Sequence, residues 1–121
     1  MTQQVEQHTF DKPDEVREFP HGRVELVHTA TGMVGRLIAE PGWRWSEHVK
    51  PIAQTDWCEA PHFQYQLAGI MHVKMADGRE FDSHPGDVVS LPQGHDAWVV
   101  GDEQVVAIDW YGLTDYAKPS G

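Results

Sequence analysis

The sequence predicts a single all-β domain. From residue 23 onward, short runs of β-branched and aromatic residues alternate with Gly- and Pro-containing turns, at the spacing typical of sandwiches and barrels. Apart from a weak pattern near residues 11–19, no window of helical length has the apolar period of a helix. A chain of 121 residues is long enough to bury one continuous core. We expect a β-domain over residues 23–121, preceded by a loosely packed N-terminal arm over residues 1–22.

Turn signals separate most of the expected strands. Asp77-Gly78 predicts a tight hairpin, because this pair adopts the positive φ angles that a two-residue loop requires. Residues 49–61 begin and end near prolines and interrupt the pattern, so we expect a loop inserted between two strands. The expected strands are 23–28, 33–39, 43–48, 62–68, 70–75, 79–83, 87–91, 97–100 and 104–110.

Charge and composition exclude several classes of partner. The chain has nine Lys and Arg against nineteen Asp and Glu, a formal charge of −10, which repels nucleic acid and anionic membranes. No apolar run is long enough to span a bilayer, and the N-terminus has no signal-peptide pattern. Cys58 is the single cysteine, which fits a reducing compartment. We expect a cytoplasmic protein whose partner is a small molecule.

Three segments, PGWRWSEH, HFQYQLAG and PGDVVSLPQGH, together resemble the two sequence motifs of the cupin superfamily. Five residues separate Gly42 from His48, and six residues separate His62 from Gly69, which places His62 where the family usually has a glutamate. Gly86, Pro92 and Gly94 match the framework of the second motif. The resemblance implies a cupin-type jelly-roll, or double-stranded β-helix, barrel.

The same resemblance implies candidate metal ligands, namely His48, His62 and His95. His95 lies two residues before the family position, a shift of about 6.6 Å along a strand, so it reaches the centre only if the preceding Gly94 turn draws it inward. Lys50 and Ala97 occupy two other ligand positions of the family. Imidazole ligands suit one divalent transition metal, with Zn, Fe, Ni, Mn and Cu all open.

Three further residues are candidates for contact with substrate or for supporting the metal ligands. If His62 points inward, the two-residue period of a strand places Gln64 on the same side. The same period, applied to residues 43–48, places Arg44 beside His48, where it could hold a carboxylate. Cys58 is either a soft ligand or redox thiol, or a small buried hydrophobic residue.

Two functional hypotheses follow. The first is a small metal-binding cupin that acts on or senses a small polar or anionic molecule; as an enzyme, the resemblance implies dioxygenase-like or isomerase-like chemistry. The second is a metal-free ligand-binding or scaffold module, which the replacements at Lys50 and Ala97 favour. Open sheet edges and several large aromatic residues further suggest a homodimer.

Overall fold

The computed structural model describes residues 4–110, 112–113 and 116–118. Within these residues the chain forms nine strands and two four-residue helices, and neither helix is long enough to cross a membrane. Their bounds are β1 (Glu15–Phe19), β2 (Gly22–His28), β3 (Met33–Ala39), α1 (Trp45–His48), α2 (Lys50–Ala53), β4 (His62–Ala68), β5 (Ile70–Met75), β6 (Glu80–Ser83), β7 (Val88–Leu91), β8 (His95–Val100) and β9 (Val105–Asp109).

The strands form two antiparallel sheets. One has six strands in the order β1-β2-β3-β9-β4-β7, and the other has three in the order β6-β5-β8. Apolar side chains from both sheets form one core cluster, which includes Leu26 of β2, Val73 of β5 and Val105 of β9. Burying each such side chain contributes roughly 1.5–3 kcal/mol, so this core holds the two sheets together without a disulfide. The all-β prediction is confirmed.

In strand β4, the side chains that are buried alternate with a period of two residues, as the sequence predicts. His62, Gln64 and Gln66 are buried, whereas Phe63 and Leu67 between them are 42% and 49% exposed. The predicted bounds of this strand, 62–68, are those of the structure, as are the predicted bounds 33–39 and 70–75. Polar side chains on β4 therefore face the interior, and aromatic and aliphatic ones face outward.

The expectation of a strand over residues 43–48 is wrong. Residues 45–48 form helix α1, in which the amide of Val49 donates to the carbonyl of Trp45 at 2.9 Å. The side chain of His48 turns back, and its Nδ1 accepts a hydrogen bond from the amide of Arg44 at 3.0 Å. This bond satisfies an amide that a helix start leaves unpaired, so the local helix competes successfully with an extended strand.

The N-terminal segment is also better ordered than expected. Residues 15–19 form strand β1, which pairs along its whole length with β2. Phe19 is buried in the core, and the guanidinium of Arg36 lies 4.9 Å from the ring centre of Phe10. Strand pairing therefore begins at Glu15 rather than at residue 23.

Candidate metal centre

Three side chains with metal-ligating atoms meet in the interior of the protein. One ligand atom from each of Cys58, His62 and His95 lies within 4.8 Å of the other two. The residues are 3%, 6% and 3% exposed, respectively, so water has little access to these atoms. His62 begins β4 and His95 begins β8, which places the group where a strand of each sheet starts.

Backbone pairing holds Cys58 beside His95. The amide of Cys58 donates to the carbonyl of His95 at 2.8 Å, and the amide of Gly94 donates to the carbonyl of Cys58 at 2.7 Å. Gly94 has φ +91°, a conformation that residues with a Cβ rarely adopt. This turn starts β8 at residue 95, two residues earlier than predicted, and brings His95 to the interior.

A buried carboxylate fixes the orientation of His62. The Nδ1 of His62 donates to Oδ2 of Asp109 at 2.5 Å, and Oδ1 of Asp109 accepts from the amide of Phe63 at 3.3 Å. With the proton on Nδ1, the lone pair of the ring lies on Nε2, which is 3.9 Å from the Sγ of Cys58. A histidine held by a carboxylate in this way is the usual arrangement of a metal ligand.

His95 is held in the same tautomer by a different acceptor. Its Nδ1 donates to the carbonyl of Pro92 at 3.0 Å, which leaves the lone pair on Nε2. Burial, followed by the nearby His62, lowers the pKa of His95 to about 4. His95 is therefore a neutral imidazole at physiological pH, the form in which histidine binds metals.

The thiol of Cys58 is protonated in the metal-free protein. Burial raises the pKa of Cys58 to about 12, and the charge of Asp109 acts in the same direction. A thiol binds a metal as the thiolate, so metal binding at this group would displace one proton.

The distances and the donor types fit a transition metal. Zinc–sulfur bonds of about 2.3 Å and zinc–nitrogen bonds of about 2.0 Å place tetrahedral ligand atoms roughly 3.3–3.6 Å apart. The 3.9 Å between Sγ of Cys58 and Nε2 of His62 is close to this spacing. All three ligand atoms lie within 4.8 Å of one another, so only a small inward movement of the side chains would bring them to bonding distance of one ion. One thiolate and two imidazoles would leave a coordination position for water or a ligand.

A small cavity is lined by two of the three donor residues, His62 and His95. It has a volume of about 30 Å³, room for about two or three waters. Gln64, which the sequence predicts to contact substrate or support the metal ligands, lines this cavity. Tyr116 also lines it, and its ring centre is 5.8 Å from that of His62. Burial holds the pKa of the Tyr116 hydroxyl well above its ordinary range. The other lining residues are Leu37, Trp43, Trp45, His62, Met71, Val73, Leu91, His95, Ala97 and Leu113.

The structure does not bring His48 or Arg44 to this group. The Nδ1 of His48 is occupied by the amide of Arg44, and its ring packs against His21 with ring centres 4.8 Å apart. The guanidinium of Arg44 lies 4.0 Å from the ring centre of Trp98, and its Nε is 3.4 Å from Oδ2 of Asp96. The displacement of His48 follows from helix α1, which turns its side chain away from the face that a strand would give it, whereas Arg44 precedes the helix in extended backbone that is bridged to Trp98.

Sequence reasoning missed Asp109 and Tyr116. Asp109 ends the apolar run QVVAID, on the face that carries the buried Val105 and Ala107. A carboxylate on a buried face needs a partner, and this was the signal available in the sequence. Tyr116 follows the last strand, where no period indicates which side chains turn inward.

Comparison with solved structures identifies the fold. A cupin-like protein from Thermotoga maritima superposes with a TM-score of 0.60 at 18% identity, over 89% of this chain and 83% of that chain. A protein of unknown function from Rhizobium leguminosarum bv. viciae gives 0.61 at 17%, over 90% and 98%. The polyketide cyclase RemF from Streptomyces resistomycificus gives 0.54 at 16%, over 88% and 79%. No protein-family model and no curated protein matches the sequence. At these low sequence identities, the structural similarity establishes a shared fold alone.

Proposed function

We propose that this chain, which has the cupin fold, binds one divalent transition metal through Cys58, His62 and His95 and presents it to a small ligand in the adjoining cavity. The observation that carries the proposal is the pair of hydrogen bonds at Nδ1, from His62 to Asp109 and from His95 to Pro92. The two bonds have unrelated acceptors, yet both leave Nε2 as the atom with the lone pair. Both rings are thereby prepared to act as ligands rather than as donors.

The donor set narrows the choice of metal. Sulfur and imidazole ligands suit Zn, Fe(II), Co, Ni and Cu, whereas Mg and Ca prefer oxygen. One thiolate and two neutral imidazoles carry a single negative charge, so a divalent ion would leave the centre with a net charge of about +1. When bound, the metal would supply a Lewis acid that polarises a neutral or singly negative ligand.

The residues of the chain would then determine how the ligand is held. Gln64 offers an amide donor and acceptor to the cavity, whose lining is otherwise largely apolar. The apolar lining, which includes Leu37, Met71 and Leu91, excludes water and strengthens each polar contact made there. This environment favours a compact ligand with one or two polar atoms.

Metal analysis of purified protein tests the proposal. Protein expressed in medium supplemented with each metal, then dialysed against buffer, should retain close to one equivalent of one metal. Cys58→Ser, His62→Gln and His95→Gln should each lose most of it, while their far-ultraviolet circular dichroism stays that of a β-protein. His48→Gln is the matched control, since His48 lies outside the group, and it should bind metal like the unmodified protein.

Cobalt provides a second readout. A Co(II) complex with a thiolate ligand shows a charge-transfer band, which Cys58→Ser should abolish. Less than about a tenth of an equivalent of every metal in the unmodified protein would contradict the proposal and favour the metal-free binding module. Full metal binding by the folded His62→Gln variant would contradict the assigned ligands.

A further inference from the structure

Two of the described residues after β9 form part of one wall of the cavity. Leu113 and Tyr116 both line the cavity, and both are almost fully buried. Gly112, just before them, has φ +103°, and a Cβ on it would lie 1.9 Å from the carbonyl oxygen of Pro61 and 2.9 Å from Nδ1 of His62. The backbone therefore passes directly against a proposed metal ligand.

Arg17, from near the other end of the sequence, is hydrogen-bonded to this wall. Nη1 of Arg17, in β1, donates to the carbonyl of Leu113 at 3.1 Å and to the carbonyl of Tyr116 at 2.7 Å. Nε of Arg17 also donates to Glu15 at 2.7 Å, which fixes the direction of the guanidinium. The Arg17 side chain is 11% exposed, so these bonds are largely shielded from competing water.

We propose that Arg17 is a positioning residue that sets the size limit for molecules reaching Cys58, His62 and His95, by holding Leu113 and Tyr116 in the cavity wall. With the wall in place, the cavity of about 30 Å³ takes a neutral or singly negative molecule of about two or three heavy atoms. This ligand class rests on the proposed metal function. The role of Arg17 in access does not, because its bonds to Leu113 and Tyr116 involve none of the proposed metal ligands.

The thiol of Cys58 reports on access, because the chain has one cysteine and its Sγ lies 3.9 Å from Nε2 of His62, a residue that lines the cavity. Metal-free protein is treated at one pH with a small thiol oxidant of two heavy atoms, hydrogen peroxide, which converts the thiol to a sulfenic acid and water, and with a bulky thiol reagent, dithiobis(nitrobenzoate). In Arg17→Gln the ratio of the reaction rate with the bulky reagent to that with the small reagent should rise about tenfold. This is the effect expected from losing a hydrogen bond to a charged group. Leu113→Ala, which shortens the wall without changing Arg17, should raise the same ratio.

Arg79→Gln is the matched control. Arg79 also bonds through Nε to a carboxylate two residues earlier, Asp77, but it lies in the hairpin between β5 and β6. Its variant should leave the ratio of rates unchanged. General loosening of the fold would raise both rates equally, so an unchanged ratio in Arg17→Gln and Leu113→Ala overturns the proposal.

A cobalt experiment tests the ligand class separately. Azide, with three heavy atoms, should change the visible spectrum of the Co(II) protein, whereas imidazole, with five, should change it only in Arg17→Gln and Leu113→Ala. An imidazole response in the unmodified protein would overturn the size limit. Failure to bind Co(II) would contradict the metal function, while the thiol rates would still decide the role of Arg17.

Discussion

The buried side chains of His62 and Asp109 are joined by a 2.5 Å hydrogen bond, although 47 residues separate them in the sequence. Strands β4 and β9 are neighbours in the six-stranded sheet, so the bond crosses directly from one strand to the other. Asp109 also receives the amide of Phe63, which fixes the carboxylate itself. The orientation of the imidazole therefore depends on the packing of the sheet rather than on a mobile loop.

This relationship predicts the effect of Asp109→Asn. An amide group can present its NH₂ to Nδ1 and so favour the other tautomer, which weakens His62 as a ligand through Nε2. We expect metal affinity to fall about 10–100-fold, measured by competition with a chromogenic chelator. Asp82→Asn is the matched control, since Asp82 makes the same type of bond to His72 on the surface, and its affinity should be unchanged. Unaltered affinity in a folded Asp109→Asn protein would refute the assigned role.

A pH dependence of stability is expected from His72. Its Nε2 contacts Glu80 at 2.8 Å and its Nδ1 contacts Asp82 at 2.6 Å, and both carboxylates require an N–H donor. The bond to Glu80, followed by that to Asp82, raises the pKa of His72 above its ordinary 6.5. A raised folded-state pKa stabilises the protein fully below about pH 6.5, and this stabilisation is lost as the pH rises through the folded-state pKa.

Urea unfolding checks this prediction. The difference in unfolding free energy between the unmodified protein and His72→Gln should be larger near pH 5.5 than near pH 8.5. In a Glu80→Gln/Asp82→Asn background the same comparison should show little change with pH, because the partners that raise the pKa are absent. A difference that grows with rising pH would have the wrong sign for this account.

Gly112 and Gly78 form a matched pair for testing the wall beside His62. Both have positive φ, +103° and +97°, but a Cβ on Gly78 has nothing within 4 Å, whereas a Cβ on Gly112 overlaps Pro61. Gly78→Ala should cost roughly 1–2 kcal/mol, the strain of the left-handed conformation. Gly112→Ala should cost at least about 1 kcal/mol more, since the backbone must also move. Equal losses in urea unfolding would show that Gly112 does not pack as described.

The parts of the fold that sequence analysis predicted are those governed by a regular period. The alternation HFQYQLA determined which side chains of β4 are buried, and it placed His62 and Gln64 at the interior. The Gly94 turn was recognised as the condition for His95 to reach the centre, and the structure meets that condition. In these cases the information is local, since neighbouring residues decide the backbone direction.

The parts that were missed depend on competition or on distant contacts. His48 satisfies the amide of Arg44 within a helical turn, an interaction whose strength relative to strand pairing is not visible in the residue pattern. The place of Cys58 depends on a bridge to His95, and that of Asp109 on the pairing of β9 with β4. Neither contact has a signature in the residues near it.

The bridge between Cys58 and His95 has a consequence for how this protein can diverge. The backbone of Cys58 is hydrogen-bonded to that of Gly94 and His95, so the start of β8 as well as the preceding helical segment determines where the sulfur lies. A change of length or sequence between residues 50 and 56 should therefore disturb the sulfur less than a change at Gly94, whose amide bonds to the carbonyl of Cys58. The sequence of this segment and the position of the thiol are thus partly separable traits of this chain.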